Sequence, residues 1–245
     1  MTGLSIAKLK ELISGSDNIV FFGGAGVSTA SGIPDFRSAT GLYNREHNLD
    51  YSPEYLLSHA FFKADPAGFY SYLRDNLYFP DAKPNAAHYA LAKLEKMGKL
   101  SAVITQNIDN FHQRAGSEKV LELHGSMERY YCIRCRKDYD PAYALRATEV
   151  PRCSCGGIVR PDVVLYGEML DTDVLNAAIK AILRADMLIL GGTSLVVYPA
   201  ASLVRYYRRD KLVLINKEAT AYDNWANAVI SGDISQIMHE LVEAL

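Results

Sequence analysis

The sequence predicts an α/β fold in which helices cover both faces of a parallel sheet. Short apolar runs alternate with amphipathic helical segments, and each apolar run ends on glycine or a small polar residue. Parallel strands need long crossovers, so strand–helix alternation is their trace in a sequence. A third observation marks an insert: all four cysteines fall between 132 and 155, where the alternation stops.

The elements follow in order. The start, "MTGLSIAKLKELISGSDN", places Leu4, Leu9, Leu12 and Ile13 near one helical face. "NIVFF" (18–22) is a continuous apolar run ending in glycine, a buried strand. "NAAHYALAKLEKMG" (85–98) is a helix that Asn85 can cap, with Ala87, Ala90, Leu91 and Leu94 on one face and Gly98 as its stop. "SAVIT" (101–105) is the next strand. In 171–185, Val174, Ala178 and Ile182 stack beside Leu175 and Ile179 as a helix. "DMLILGG" (186–192) and "KLVLIN" (211–216) are strands, and 233–245 is a closing helix. There are no internal repeats.

The 245 residues, 49% hydrophobic, suffice for one large domain or one domain with a small insert. A net charge of −2 gives no electrostatic case for nucleic acid. The first residues lack the pattern of a secretory signal, and no apolar run reaches membrane-span length. The expectation is a cytoplasmic protein with neither membrane nor nucleic-acid partners; a monomer is compatible with the sequence, which fixes no oligomeric state.

The strand ends carry the functional signal. They present Gly23, Gly24 and Gly26; Gln106, Asn107 and Asp109; Gly191, Gly192, Thr193 and Ser194; and Asn216. Ligands of open α/β sheets sit beyond these ends, glycines let them approach the backbone, and free amides attract phosphate. Four such ends predict a dinucleotide site. "GGAGVSTASG" (23–32) does not match G-x-G-x-x-G in register, which argues against ordinary hydride transfer.

Cys132-x-x-Cys135, seventeen residues, then Cys153-x-Cys155 suits one tetrahedral zinc. Four thiolates leave no open coordination position, so this zinc is structural. Among six histidines, His124 in "VLELHGS" ends an apolar run and should reach the strand ends as a general base. His59, His88, His112 and His239 fall in helical or loop patterns and His47 in a polar loop; these read as scaffold.

"GAGVSTASGIPDFR", "TQNID", "LHG", the paired cysteines, "RPDVVLYGE", "GTSLVVYPA" and "IN" stand in the order and spacing of the sirtuin family, across residues 4 to 243. The chain resembles a compact prokaryotic member of those NAD-dependent protein lysine deacylases. The resemblance implies a large Rossmann-like NAD-binding domain (about 1–34, 85–125 and 170–245). It implies a small domain with a helical part (about 35–84) and a zinc-binding part (126–168), the substrate cleft lying between the two.

It also implies site roles. Gly24, Ala25, Gly26 and Ser28 would lie at the NAD phosphates. Asp35, Phe36 and Arg37 would belong to a mobile loop over the cofactor, Phe36 shielding the ribose carbon. Gln106, Asn107, Ile108 and Asp109 would line the nicotinamide and ribose, with Asn107 and His124 catalytic and Asp109 on the carboxamide. Gly192, Thr193, Ser194, Asn216, Lys217 and Ile234 would hold phosphate and adenosine. Val164 and Tyr166 would line the acyl-lysine tunnel, and the acyl-lysine protein would enter as an added strand between Gly167-Glu168-Met169 and Leu195-Val196-Val197-Tyr198. NAD would be cosubstrate, and acyl transfer would release nicotinamide and O-acyl-ADP-ribose. One departure is Gly23, where the family usually has threonine.

Family members that take succinyl carry Tyr-x-x-Arg at the tunnel mouth. The corresponding stretch here has Tyr70 as a substrate-binding tyrosine, but Leu73 in the arginine's place and Arg74 one helical step away. Acetyl is therefore expected ahead of succinyl. Two other readings use the same residues: a mono-ADP-ribosyltransferase on this fold, and a catalytically silent NAD-binding module that recruits partners. A zinc-ribbon nucleic-acid binder is weaker, because Asp138 and Asp140 offset Arg134, Arg136 and Lys137.

Overall fold

The computed structural model describes residues 6–38, 41–44 and 51–243. Leu4, His47 and the last two residues of the closing helical pattern lie outside these. In chain order, α1 (Ile6–Ser14) precedes β1 (Ile19–Gly23), and α2 (Pro53–Leu56), α3 (His59–Ala64), α4 (Pro66–Leu77) and α5 (Ala86–Lys96) lead to β2 (Leu100–Thr105). Next come α6 (Phe111–Arg114), β3 (Val120–Glu122), β4 (Gly125–Cys132), β5 (Asp138–Tyr139), α7 (Pro141–Leu145) and β6 (Val159–Val163). The last part holds α8 (Thr172–Arg184), β7 (Met187–Gly191), β8 (Leu212–Asn216), β9 (Ala228–Ser231) and α9 (Ile234–Glu243). Four segments among the described residues are 3-10 rather than α-helix: Ala25–Val27 and Thr29–Ser31 after β1, Leu42–Asn44, and Ala200–Tyr206.

The main sheet has the order β3-β2-β1-β7-β8-β9, and every pairing is parallel. Every residue of β1 is buried, as expected for a strand covered on both faces. Its side chains alternate: Ile19 and Phe21 join the cluster under α1, α5 and α9, while Val20 and Phe22 join the cluster under α8 and the 3-10 segment. Strand order reverses between β1 and β7, where Gly23 pairs with Gly191. Crossovers leave in opposite directions from this point, and a crevice opens beyond the strand ends.

Gly23 has a packing reason. A Cβ there would lie 2.6 Å from Phe21 Cε1 and 3.2 Å from Val27 Cγ2. The Phe21 ring fills the space a threonine side chain would need, so the departure at Gly23 is matched by its own neighbour.

His88 and His112 lie in the core, their ring centroids 4.8 Å apart. His88 closes the capping box of α5, its Nδ1 accepting from Asn85 N–H. His88 Nε2 and both ring nitrogens of His112 have no hydrogen-bond partner among the described residues. Burial lowers His88 to about 4 and His112 well below its usual value. Both therefore stay neutral when folded, and below pH ~6.5 the unfolded chain takes up protons the native state refuses. Stability should be flat above pH ~6.5 and fall toward pH 4, by about 3 kcal/mol through His88 alone. Urea titrations at pH 7 and pH 4.5 check this, and His88→Gln should flatten the slope.

β5-β4-β6 form a second, antiparallel sheet. It packs with α2, α3, α4 and α7 around a third cluster that includes Phe62, Phe69, Tyr70, Tyr130, Leu145 and Val159. Here one expectation is corrected. Tyr70 is fully buried and its hydroxyl donates to the Val159 carbonyl, and Leu73 is buried beside it. Neither reaches the cavity, because this face of α4 packs on the small sheet. Arg74 Nη2 donates to the carbonyls of Glu149 (2.8 Å) and Ala144 (3.3 Å), with its guanidinium over the Tyr70 ring. Arg74 thus ties α4 to the segment around α7.

Candidate active site

A cavity of about 1020 Å³ opens at the carboxyl ends of β1, β2, β7 and β8 and runs toward the small sheet. Its size reaches the top of the ~300–1,000 Å³ range of small-molecule sites. One wall is made where two strand ends nest. Gly26 N–H donates to Gly192 O at 2.8 Å, and a Cβ on Gly26 would meet Gly192 Cα at 2.8 Å. Glycine is required here first by the close approach of the two loops. Ala25, Thr193 and Ser194 line this wall, and their backbone N–H groups donate to no acceptor among the described residues. Free amides of this kind suit the phosphates of a dinucleotide.

The polar side chains cross-brace the strand ends. Gln106 Nε2 donates to Thr193 Oγ1 (2.9 Å). Ser28 Oγ donates to Asp109 Oδ2 (2.6 Å) and accepts from Asn107 Nδ2 (3.1 Å), and Phe111 N–H donates to Asp109 Oδ1 (2.9 Å). Burial raises the Asp109 carboxyl above its usual range against these hydrogen bonds. Each Asp109 oxygen keeps a second acceptor site, which a carboxamide N–H can use.

His124 follows β3 and lines the same cavity. Its Nδ1 lies 2.9 Å from Gln106 O. A carbonyl cannot donate, so Nδ1 carries the proton and Nε2 keeps its lone pair. Burial lowers its pKa, so the ring is a neutral base at neutral pH.

Residues 35–38 border the opening. Asp35 Oδ1 accepts from Arg37 and Ser38 N–H, and Leu42 and Tyr43 N–H donate back to the carbonyls of Asp35 and Phe36. At the end of β8, Asn216 Nδ2 donates to Glu218 O, and Lys217 Nζ pairs with Asp233 at 2.8 Å while 61% exposed. Ile108, Val164, Tyr166, Glu168, Val197, Ser194 and Ile234 also line the cavity. Gly167, Val196 and Tyr70 do not. The sequence reading missed Leu57, Leu77, Tyr78 and Met127, which form the apolar wall toward the small sheet. They come from the ends of α2 and α4 and from within β4, with no shared pattern, so only the fold brings them together.

The cysteines converge away from this cavity. All four Sγ atoms lie within 4.8 Å of one another, with Cys132–Cys155 and Cys135–Cys153 at 3.5 Å. These separations are too long for disulfides and near those of thiolates around one tetrahedral zinc. Arg134 N–H points to Cys132 Sγ and Cys155 N–H to Cys153 Sγ, as donors that would stabilise bound thiolates.

Among the described residues no helix is long and apolar enough to cross a membrane. The model of the Sir2 family matches residues 24–199. A protein of Clostridium acetobutylicum named NAD-dependent protein deacetylase is 56% identical over 97% of this chain and 98% of its own length. One of Cutibacterium acnes with the same name is 51% identical over 100% of this chain and 99% of its own length. A Sir2 structure with a p53 peptide and NAD+ superposes with a TM-score of 0.86 at 41% identity, covering 98% of each chain. Family match, full-length relatives and the common fold agree: this chain belongs to the Sir2 family.

Proposed function

We infer that the protein removes acetyl groups from lysine side chains of other proteins, using NAD as cosubstrate and releasing nicotinamide and O-acetyl-ADP-ribose. The observation that carries this is the neutral His124, its Nδ1 held by Gln106 and its Nε2 free, in a cavity where four strand ends meet. NAD supplies an electrophilic ribose carbon and a nicotinamide leaving group. The free amides of Ala25, Thr193 and Ser194 hold phosphate. Asp109, braced by the Ser28 hydroxyl and Phe111 N–H, orients the carboxamide, and Phe36 keeps water from the reacting face. His124 Nε2 takes the proton of a ribose hydroxyl. Much of the rate comes from this positioning.

The two-domain division rests on packing: the first two core clusters lie within 1–34, 85–125 and 170–245, and the third draws almost wholly on 35–84 and 126–168. One edge of the 164–168 segment is taken, since Tyr166 N–H donates to Leu57 O and His59 N–H to Tyr166 O. Gly167 and Val196 make no backbone hydrogen bond among the described residues. A substrate strand can pair between them, so these residues serve the peptide through the main chain.

Incubating the protein with NAD and acyl-lysine peptides, with mass readout, tests the reading. Acetyl-ADP-ribose is expected; ADP-ribosylated protein without it would establish the transferase reading instead. Acetyl should exceed succinyl in kcat/KM by about tenfold or more, because an unpaired buried carboxylate costs at least ~1.4 kcal/mol. Arg74 is held by two carbonyls and cannot supply the partner. Equal rates would show that Arg37, Arg114 or Arg146 on the cavity wall reaches the succinyl group.

A further inference from the structure

We propose that the hydrogen bond between the hydroxyls of Tyr43 and Tyr166 couples the loop over the cofactor to the edge that receives the acyl-peptide, so that each ligand tightens the other. This rests on the reading of the cleft given above.

The two oxygens are 2.6 Å apart, and the pair is partly buried. On one side stands the loop. Tyr43 N–H donates to Phe36 O at 2.9 Å, the Tyr43 ring meets the Phe36 ring edge-on at 5.5 Å, and the Arg37 guanidinium lies 5.0 Å over it. Tyr43 therefore carries Phe36, assigned to the ribose carbon, and Arg37 beside it in the same loop. On the other side stands a fixed post. Tyr166 is bonded through N–H and C=O to Leu57 and His59. Two residues on, the Glu168 carboxylate accepts from Arg160 Nη1 (2.6 Å) and Nη2 (3.0 Å) and from Leu165 N–H (2.9 Å), and His59 Nδ1 lies 2.7 Å away. Arg160 is itself buried and gives a further bond to Val163 O. A carboxylate so engaged holds the receiving edge in one place.

A hydroxyl pair between a fixed post and a loop is a directional tie. Each hydroxyl has one proton to give, so the bond forms only when the loop sits with Tyr43 over Tyr166. Burial and the bond itself push the Tyr43 hydroxyl far above its usual pKa, so it stays protonated. The main chain of Tyr166 is already held, so a peptide pairing beside Gly167 acts on the Tyr166 ring: it fixes the ring's orientation, the ring then holds Tyr43, and Tyr43 holds Phe36 and Arg37. By linkage the same factor acts in reverse, from dinucleotide to peptide. A net hydrogen bond of ordinary strength corresponds to about fivefold.

The test uses Tyr43→Phe, Tyr166→Phe and the double variant, each removing one oxygen and keeping the ring. Titration calorimetry would measure ADP-ribose binding with and without an acetyl-lysine peptide. In the unaltered protein the peptide should tighten ADP-ribose about fivefold or more. Either single change should abolish most of that factor, and the double change should add nothing further. Amide exchange at Leu42 and Tyr43, whose N–H groups bond Asp35 and Phe36, should slow on peptide addition only when both hydroxyls are present. Binding of both ligands with no mutual effect, or variants whose losses simply add, would overturn the coupling and leave the proposed function standing. Failure of the unaltered protein to bind either ligand would overturn both.

Discussion

Replacing His124 by alanine should lower deacetylation roughly 10²-fold or more while leaving dinucleotide binding intact, as expected on losing a general base. The ring is oriented by one bond, from Nδ1 to Gln106 O, so its loss removes the base without unpairing another side chain. Asp109 does not stand in for it: its oxygens accept from Ser28 and Phe111, and their remaining acceptor sites face the carboxamide role given above. The pH profile gives a second readout. Burial lowers the pKa of His124, so the unprotonated form persists below the ordinary histidine value of ~6.5. The acidic limb of kcat/KM should therefore begin below pH ~6.5 and vanish from the residual activity of the variant. Nicotinamide release, with ADP-ribose affinity by calorimetry, separates catalysis from binding. Unchanged turnover would make His124 a scaffold residue.

How much was legible depended on how local the cause was. β1, β2, β7 and β8 are runs of apolar residues because both faces of a parallel sheet are covered, and that signal needs no partner. The polar and glycine residues after them were legible as a site, since strand ends in such a sheet converge by topology alone. β9, "AVIS", is too short to stand out, and the antiparallel sheet is interrupted by the cysteine turns. The resemblance places Tyr70 on the cavity, yet its direction is set by the small sheet packed on α4, through Val159. The ties among Arg160, Glu168 and His59, and between Tyr43 and Tyr166, span up to 123 residues of chain and leave no periodic trace. Gly23 carried a signal that was visible but not interpretable until the Phe21 ring was placed beside it.

Loss of the metal should be the most disruptive change outside the cavity. About one zinc per chain is expected, as the four-thiolate rule requires. Cys135→Ser is the informative variant. Cys135 is exposed, whereas Cys132 and Cys153 are buried in the third core cluster, so replacing either of those would also disturb packing. Without the metal, four thiols held within 4.8 Å have nothing to draw them together, and the turns after β4 and before β6 lose their tie. Structural zinc contributes about 10–16 kcal/mol in small peptides that fold only with it. The small sheet here also packs on Phe62, Phe69 and Tyr130, so the loss should be a fraction of that, on the order of several kcal/mol. The damage should be local. The first two core clusters contain no residue of the cysteine turns, so the parallel sheet should persist while β4, β5 and β6 become protease-sensitive. Acyl-peptide binding should then fall more than ADP-ribose binding, since the receiving edge at Tyr166 continues from β6. Elemental analysis, limited proteolysis and the two binding assays report these separately. Full zinc and an unchanged melting temperature in Cys135→Ser would overturn the assignment of the four cysteines as one metal centre.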